Sequence, residues 1–533
     1  MESLPRIALP ERFNVASELL EGAREADRGA RTAFVCGDRS HSLAEVAELA
    51  DRAGSAFAEL GLELEQRIVL LCLDSIEFVA SFLGAIGIGA VPVPLNTLWR
   101  PRDLVYALND SRAKVLVVHR ALWEPLAPLR DELPFLRHVL VVGEPADGTR
   151  AFEELLAGRG ASPAPDPDPA RARARAPLAP APTRRDDPAF WLYSSGSTGA
   201  PKAAVHLQQD MIFCAELYAR GVLGLRPDDV VLSAAKLFFA YGLGNSLTFP
   251  LRLGATSVLY PERATPEAMF ELLAAHRATI FFGVPTLYAA MLQVPGAETR
   301  YDLSALRLCV SAGEALPSEL YHRFRERFGV EILDGIGSTE ALHIFISNRA
   351  GEVRPGASGR LVPGYEARIL DDDGARVPPG EIGNLWIKGQ STAPGYFGQR
   401  AKSQSTMVGE WLNTGDKYAQ DSEGFFHYAG RSDDMLKVGG IWVSPVEVEN
   451  TLIQHDAVLE AAVVGQADGD ELVKPKAFVV LKPGRFSSTA LGEELQAFVK
   501  GRLAPYKYPR WVEFVAELPK TATGKIQRFK LRG

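Results

Sequence analysis

The sequence predicts an α/β protein with a large N-terminal domain, made of two stacked α/β subdomains and a small β-barrel-like module, followed by a small α+β C-terminal domain. Three observations carry this. Short apolar runs alternate with longer helical ones through the N-terminal part, from about Gly356 the texture turns to short strands and turns, and after Asp433 a compact α/β pattern resumes. At 533 residues the chain is too long for a single core.

Residues 67–73 read as a strand buried on both faces, 75–87 as a helix and 90–94 as the next strand, a βαβ unit. The pattern recurs with strands at 113–118 and 257–259, a helix at 266–276 and a strand at 279–283. Such alternation implies parallel sheets covered on both faces. Residues 161–182 alternate Ala, Pro, Arg and Asp with almost no large apolar side chain, so they read as an exposed linker. Arg171, Arg173 and Arg175, with the nearby Arg184, read there as solvated charges rather than an anion site. Strands at 366–370, 383–388 and 424–428 build the β-rich module. A helix at 445–453, strands at 458–464 and 475–481 and a helix at 491–503 form the C-terminal unit. The expected domains are therefore 1–432 and 433–533.

Composition narrows the function. Hydrophobic content of 47% and charged content of 23% are those of an ordinary soluble protein. A net charge of −8 argues against general nucleic-acid binding, which needs a basic face. Cys36, Cys72, Cys214 and Cys309 are scattered among apolar residues and read as core thiols of a reducing compartment. The run at 79–95 is uncharged, but its three glycines, two prolines and short length suit a buried helix and strand, not a membrane span. The first residues lack a signal pattern, so a cytoplasmic protein is expected, with no membrane partner.

Several short segments carry chemistry. Ser194-Ser195-Gly196-Ser197-Thr198-Gly199-Ala200-Pro201-Lys202 follows Phe190-Trp191-Leu192-Tyr193, a strand, and is expected at its carboxyl end, where ligands of open α/β sheets bind. Gly196 and Gly199 let the backbone bring its amides to phosphate oxygens; Ser195, Ser197 and Thr198 add donors, and Lys202 a point charge. It is not a Walker A loop. In Asp334-Gly335-Ile336-Gly337-Ser338-Thr339-Glu340, Thr339 can hydrogen-bond a phosphate while Glu340 offers a hard oxygen to Mg²⁺. Ser311-Ala312-Gly313-Glu314 is a small-residue turn suited to a flat adenine ring. Asp416, in Thr414-Gly415-Asp416, suits two ribose hydroxyls. Lys525, in Pro519-Lys520-Thr521-Ala522-Thr523-Gly524-Lys525, could offset charge developing at phosphorus. Taken singly, each of these also reads as an ordinary turn or a solvated side chain.

Together with Gly430-Arg431-Ser432-Asp433-Asp434, the set resembles, in order and from roughly residue 30 to the end, the motifs of the adenylate-forming superfamily of acyl- and aryl-CoA synthetases, luciferases and adenylation domains. The stretches 236–245 and 340–345 resemble those of benzoate–CoA ligases and related aryl-CoA ligases such as 2-aminobenzoate–CoA ligase. The resemblance implies a small aromatic carboxylic acid, ATP with Mg²⁺ and coenzyme A as the partners. An aryl adenylate forms first, and the thiol of CoA then displaces AMP. A carrier protein in place of free CoA is the alternative acceptor. A homodimer is expected by analogy alone.

The resemblance also implies residue roles. Thr339, Glu340 and Lys525 would be catalytic, with Glu340 on Mg²⁺. Ser195 to Gly199, Lys202, Ala312, Gly313, Glu314, Asp334, Gly335, Ile336, Thr339, Asp416 and Arg431 would hold the nucleotide. Phe239, Ala240, Tyr241, Gly242, Gly335, Ile336, His343 and Ile344 would line the aryl-acid slot, and benzoate or 2-aminobenzoate is the preferred acid. Asp433 would be the hinge of a mobile C-terminal domain, and Lys437, Gly439, Gly440 and Trp442 would approach CoA. Two departures stand out. Ala203 replaces a glycine, removing positive-φ freedom, and Ala341 replaces a larger apolar residue, leaving room for an ortho or meta substituent. The hinge role gives a test: Asp433→Pro slows thioester formation more than adenylation in separated half-reactions, and equal loss in both counts against it.

Overall fold

The computed structural model describes residues 7–157, 178–196, 199–432, 434–438, 441–468, 472–504, 506–520 and 526–532. Five parallel strands stand side by side in the order Val91–Pro94, Arg67–Leu71, Val115–His119, His138–Val142 and Arg150–Ala151. Their Val/Leu-rich runs follow from being covered on both faces. The helix Ile76–Gly87 starts where Ser75 Oγ accepts the Phe78 N–H, and it is buried from Ile76 to Ile86 except at Glu77. It crosses the helix Leu43–Glu59 at touching backbones: a methyl on Gly84 would lie 2.5 Å from the Ala50 carbonyl oxygen and 2.7 Å from Gly54 N. Only glycine fits that crossing.

A second sheet runs, among the described residues, in the order Arg360–Leu361, Ile344–Ser347, Ile332–Gly337, Leu308–Ser311, Ile280–Gly283, Val230–Ser233, Thr256–Leu259, Thr32–Cys36, Arg39–Ser42. The six strands from Ile332–Gly337 to Thr32–Cys36 are parallel, and the flanking ones are antiparallel. The β-rich module is an antiparallel sheet of Glu366–Leu370, Gly383–Lys388 and Trp411–Gln420, with Met407–Val408 and Phe426–Arg431 also paired to Trp411–Gln420. In the C-terminal part, Val458–Ala467, Val473–Leu481 and Trp511–Phe514 form a sheet. Val448 and Leu452 of the helix Pro445–Ile453 and Leu495 and Val499 of Thr489–Lys500 close a core of their own on it. No helix among the described residues is long and apolar enough to cross a membrane.

One expectation needs correction. Residues 188–207 do not feed a parallel sheet: Pro188–Gly196 and Gly199–Leu207 form an antiparallel hairpin, with Tyr193 opposite Ala203 and Ser194 opposite Lys202. A short apolar run fixes a strand but not its partner, and here the partner is the next segment. The exposed stretch read at 161–182 is described only at its end, where 178–182 lack regular structure and Ala179, Pro180 and Pro182 are exposed, while 158–177, which include Arg171, Arg173 and Arg175, lie outside the described residues. The Ala181 N–H donates to the Gly87 carbonyl at 2.8 Å, and the adjoining Thr183 is 2% exposed and donates to the Phe13 carbonyl at 2.7 Å.

Asp74 joins the two α/β subdomains. It sits between the strand Arg67–Leu71 and the helix Ile76–Gly87, is 3% exposed, and accepts the Leu237 N–H at 2.9 Å from the turn that carries Phe238 and Phe239. Burial pushes its carboxyl up to about 6, against a partial pull from Lys236. The folded chain therefore holds this proton over a range where the unfolded chain has released it, and stability falls as pH rises through that range. Asn keeps the acceptor and removes the charge. Asp74→Asn is expected to match the wild type near pH ~4 and to gain up to ~3 kcal/mol by pH ~8. Paired thermal melts across pH check this; a gap that fails to open, or opens toward acid, contradicts it.

Candidate active site

A cleft of about 1290 Å³ opens where the carboxyl ends of Leu308–Ser311 and Ile332–Gly337 meet the hairpin, the antiparallel sheet and the C-terminal unit. The chain leaving Ile332–Gly337 turns tightly and returns as Ile344–Ser347, with Leu342 in the left-handed region at φ 68°. Thr339 and Glu340 ride on this turn and line the cleft. Three neighbours converge on one Glu340 oxygen, Oε1: Tyr396 OH at 2.8 Å, Ser194 Oγ at 3.2 Å and Lys202 Nζ at 3.2 Å. Lys202 also donates to Tyr396 OH at 2.6 Å and lies 4.3 Å from its ring centroid. Burial works to raise the Glu340 carboxyl, but the Lys202 ammonium and the Tyr396 hydroxyl outweigh it, so the group sits below the ordinary carboxylate range and is ionised.

Tyr396 was not foreseen. Only a Pro394-Gly395 turn precedes it in sequence, and its partners lie far off in the chain. It reaches the site because its segment pairs with the hairpin: the Val205 N–H donates to the Gly395 carbonyl at 3.1 Å and the Phe397 N–H to Ala203 at 2.9 Å. Ala203 itself is extended, buried and outside the positive-φ residues, so the lost glycine costs the hairpin nothing. Ser195, Gly196 and Gly199 lie on the hairpin strands with side-chain placement outside the described residues, as are Ser197 and Thr198 entirely.

The remaining nucleotide candidates gather around the same cleft. Gly313, Glu314, Asp334, Gly335 and Ile336 line it, and Ala312 is buried beneath. Burial drives the Asp334 carboxyl well above the ordinary range. Asp416 and Arg431 stand opposite each other on antiparallel strands, with Arg431 Nη1 donating to Asp416 Oδ1 at 3.2 Å. Thr414 Oγ1 accepts the Asp416 N–H at 3.1 Å across Gly415, whose φ is 73°. The C-terminal part completes the rim. Lys520 and Ile526 bridge each other, and the Ile526 N–H donates to Glu314 Oε1 at 3.2 Å. Lys525 lies outside the described residues, as do Asp433, Gly439 and Gly440. Lys437 and Trp442 are paired on the hairpin Leu436–Val438 and Ile441–Val443, their side chains likewise not described.

Beside Gly335 and Ile336, Phe239 forms an aromatic wall of the cleft, its ring 4.5 Å from that of Phe238. Ala240 and half-buried Tyr241 follow in the short helix Ala240–Leu243, and the Tyr241 hydroxyl donates toward the Gly283 and Val310 carbonyls at 3.4 and 3.3 Å. A π-helical turn, Gly244–Thr248, continues the helix and brings Asn245 Oδ1 within 3.1 Å of His343 Nε2. His343 is 2% exposed and backs the slot rather than lining it, as do buried Gly242 and Ile344. Its ring packs 4.5 Å from Phe249, 5.2 Å from Tyr218 and 5.6 Å from Tyr241. Burial lowers this imidazole to about 3, so it is neutral. Gly244 makes room for it: a methyl there would meet His343 Cδ2 at 2.3 Å. Ala341 is buried away from the cleft with its carbonyl accepting from Ser391 Oγ at 2.8 Å, so no space for a ring substituent arises there.

No group of three or more His, Cys, Asp and Glu that could hold a metal occurs among the described residues. The single ionised Glu340 instead fits Mg²⁺, which keeps several waters and binds one or two carboxylates together with substrate phosphates.

The model of the AMP-binding enzyme family matches residues 22–397, and that of the AMP-binding enzyme C-terminal domain matches 447–525. The chain is 53% identical to a benzoate–CoA ligase of Thauera aromatica, over 99% of this chain and 97% of that protein. It is 44% identical to a 4-hydroxybenzoate–CoA/benzoate–CoA ligase of Rhodopseudomonas palustris, over 98% and 94%. Among solved structures it resembles the anthranilate CoA ligase AuaEII in complex with anthranoyl-AMP, with TM-score 0.91, 45% identity and coverage of 98% and 97%. It also resembles a benzoate CoA ligase from Burkholderia xenovorans LB400, with TM-score 0.87, 50% identity and coverage of 98% and 100%.

Proposed function

The chain belongs to the AMP-binding enzyme family, and on that premise we propose that it is an ATP-dependent, AMP-forming aryl-CoA ligase acting on benzoate or a substituted benzoate such as 2-aminobenzoate. The observation that carries this is the identity to benzoate–CoA ligase over nearly the whole of both chains, joined to a cleft with an aromatic wall at Phe239 and an ionised Glu340 held by Lys202.

A carboxylate oxygen of the acid attacks the α-phosphorus of ATP, the α–β bridging bond breaks, and aryl-AMP and pyrophosphate result. The CoA thiolate then attacks the aryl carbonyl carbon, AMP leaves with the former carboxylate oxygen, and the thioester remains. Lys202 and Thr339 bind phosphate oxygens, Asp416 and Arg431 hold the ribose, and the turn at 312–314 with Gly335 and Ile336 presses on the adenine. Phe239 and Ile336 orient the ring, with Tyr241 and neutral His343 fixing the wall from behind. Glu340 would hold Mg²⁺, which when bound neutralises phosphate charge. Lys525 offsets charge at the reacting phosphorus. Residues 1–432 and 433–533 act as two domains hinged at Asp433, and the cores of the C-terminal sheet support that division. Lys437, Gly439, Gly440 and Trp442 meet CoA after the hinge turns. The same reading places the protein in the cytoplasm, where ATP and CoA are available and its four free thiols stay reduced.

An acid- and CoA-dependent AMP-release assay over benzoates, aminobenzoates and C4–C12 fatty acids tests the substrate class. One benzoate is expected far ahead of the rest, and a fatty acid in that place refutes the aryl slot. Pyrophosphate release with no thioester on free CoA moves the acceptor to a carrier protein. Lys525→Ala is expected to slow adenylation ~10²- to 10³-fold while thioester formation from supplied aryl-AMP stays within a few-fold of wild type; equal loss in both steps removes the role assigned to that lysine.

A further inference from the structure

We infer that the buried pair His206–Asp210 is a positioning device of the adenylation site, holding the Thr339–Glu340 turn in register with the strand that carries Lys202. His206 lies four residues after Lys202 on Gly199–Leu207, so both side chains leave the same face. Both His206 and Asp210 side chains are completely buried. His206 Nδ1 is 2.9 Å from Asp210 Oδ2, and Nε2 is 2.8 Å from the Thr339 carbonyl oxygen. The Phe190 ring stacks on the imidazole, with centroids 5.1 Å apart and planes 20° from parallel, which fixes its plane.

The proton inventory follows from the partners. A carbonyl oxygen only accepts, so Nε2 carries a hydrogen and donates it to Thr339. Asp210 Oδ2 already accepts the Leu207 N–H at 3.0 Å, and one further proton lies between it and Nδ1. Whichever of these two atoms holds that proton, the Nε2–H stays aimed at Thr339. The carboxylate thus fixes the imidazole's donor, and the imidazole fixes the peptide that precedes Glu340.

Stability alone does not account for the arrangement. The Thr339 carbonyl already accepts the Leu342 N–H at 3.1 Å, and burying a second polar pair is no better for folding than a well-packed apolar one. What the pair adds is a second, differently directed constraint on the turn. Strand Gly199–Leu207 then grips it twice, through Lys202 on the Glu340 side chain and through His206 on the Thr339 backbone.

The inference rests on the adenylation reading of the cleft, and its test separates the two. His206→Phe keeps the stack on Phe190 and removes the donor. Its kcat/KM for MgATP in acid-dependent pyrophosphate release is expected to fall ~10²-fold, as for a misplacement of about an ångström. KM for the aryl acid, the thermal midpoint and thioester formation from supplied aryl-AMP should stay near wild type. His206→Gln, whose amide nitrogen can occupy the Nε2 position, should recover most of the loss. Should the Phe variant fail to fold, Asp210→Asn serves at constant volume. Its amide oxygen would accept both Leu207 N–H and Nδ1–H, leaving Nε2 bare against a carbonyl, and the same selective loss is expected. Wild-type rates in His206→Phe, equal loss in both half-reactions, or no recovery with Gln would each overturn the inference. Absence of acid-dependent pyrophosphate release in the wild type would instead overturn the adenylation reading.

Discussion

The structure depends on how one largely buried turn at the cleft is held. The segment between Ile332–Gly337 and Ile344–Ser347 must turn Thr339 and Glu340 toward the cleft while its peptides sit inside the molecule, where an unpaired carbonyl is costly. Three successive carbonyls are satisfied from two other segments: Thr339 by His206, Glu340 by the Ala393 N–H at 2.7 Å and Ala341 by Ser391 Oγ. Lys202, Ser194 and Tyr396 then take the Glu340 carboxylate. Satisfying this one turn draws the hairpin 188–207 and the segment 389–397 against the end of the large sheet.

The same logic organises the walls around it. Asp74 ties one α/β subdomain to the turn bearing Phe239, and the π-helical turn beyond that residue widens the helix enough for Asn245 to reach His343. On the opposite rim, Glu314 accepts the Ile526 N–H, so the C-terminal unit is docked over the cleft by a hydrogen bond to the backbone. Within the C-terminal unit the connection is stiffer: Arg528 grips Glu449 with bonds of 2.7 to 3.1 Å and also reaches Asp434, beside the proposed hinge.

Much of this was legible in the sequence, for reasons that can be stated residue by residue. Glu366–Leu370, Gly383–Lys388 and Pro445–Ile453 were read with their observed limits because turn residues bracket strong local patterns. Lys202, Glu340 and Asp416 could be singled out because their residue types in Gly-containing segments state a chemistry, and Asp334 through the family resemblance. What could not be read was which segments pair. Nothing local reveals that Pro188–Gly196 turns back on Gly199–Leu207 rather than joining a parallel sheet, or that Tyr396 meets Lys202. Likewise His206 reads as one residue of an apolar strand until Thr339 is seen beside it. Ala203 and Ala341 looked consequential as departures from a pattern, yet the first is an ordinary strand residue and the second lies in the core.

The central claim is that the cleft activates an aryl carboxylate by joining it to the α-phosphorus of ATP. Mass analysis of AMP after turnover of the preferred benzoate, ¹⁸O-labelled in its carboxyl group, tests this most directly. The account predicts one labelled oxygen in AMP and none in pyrophosphate. Unlabelled AMP, or label released in inorganic phosphate, would contradict it.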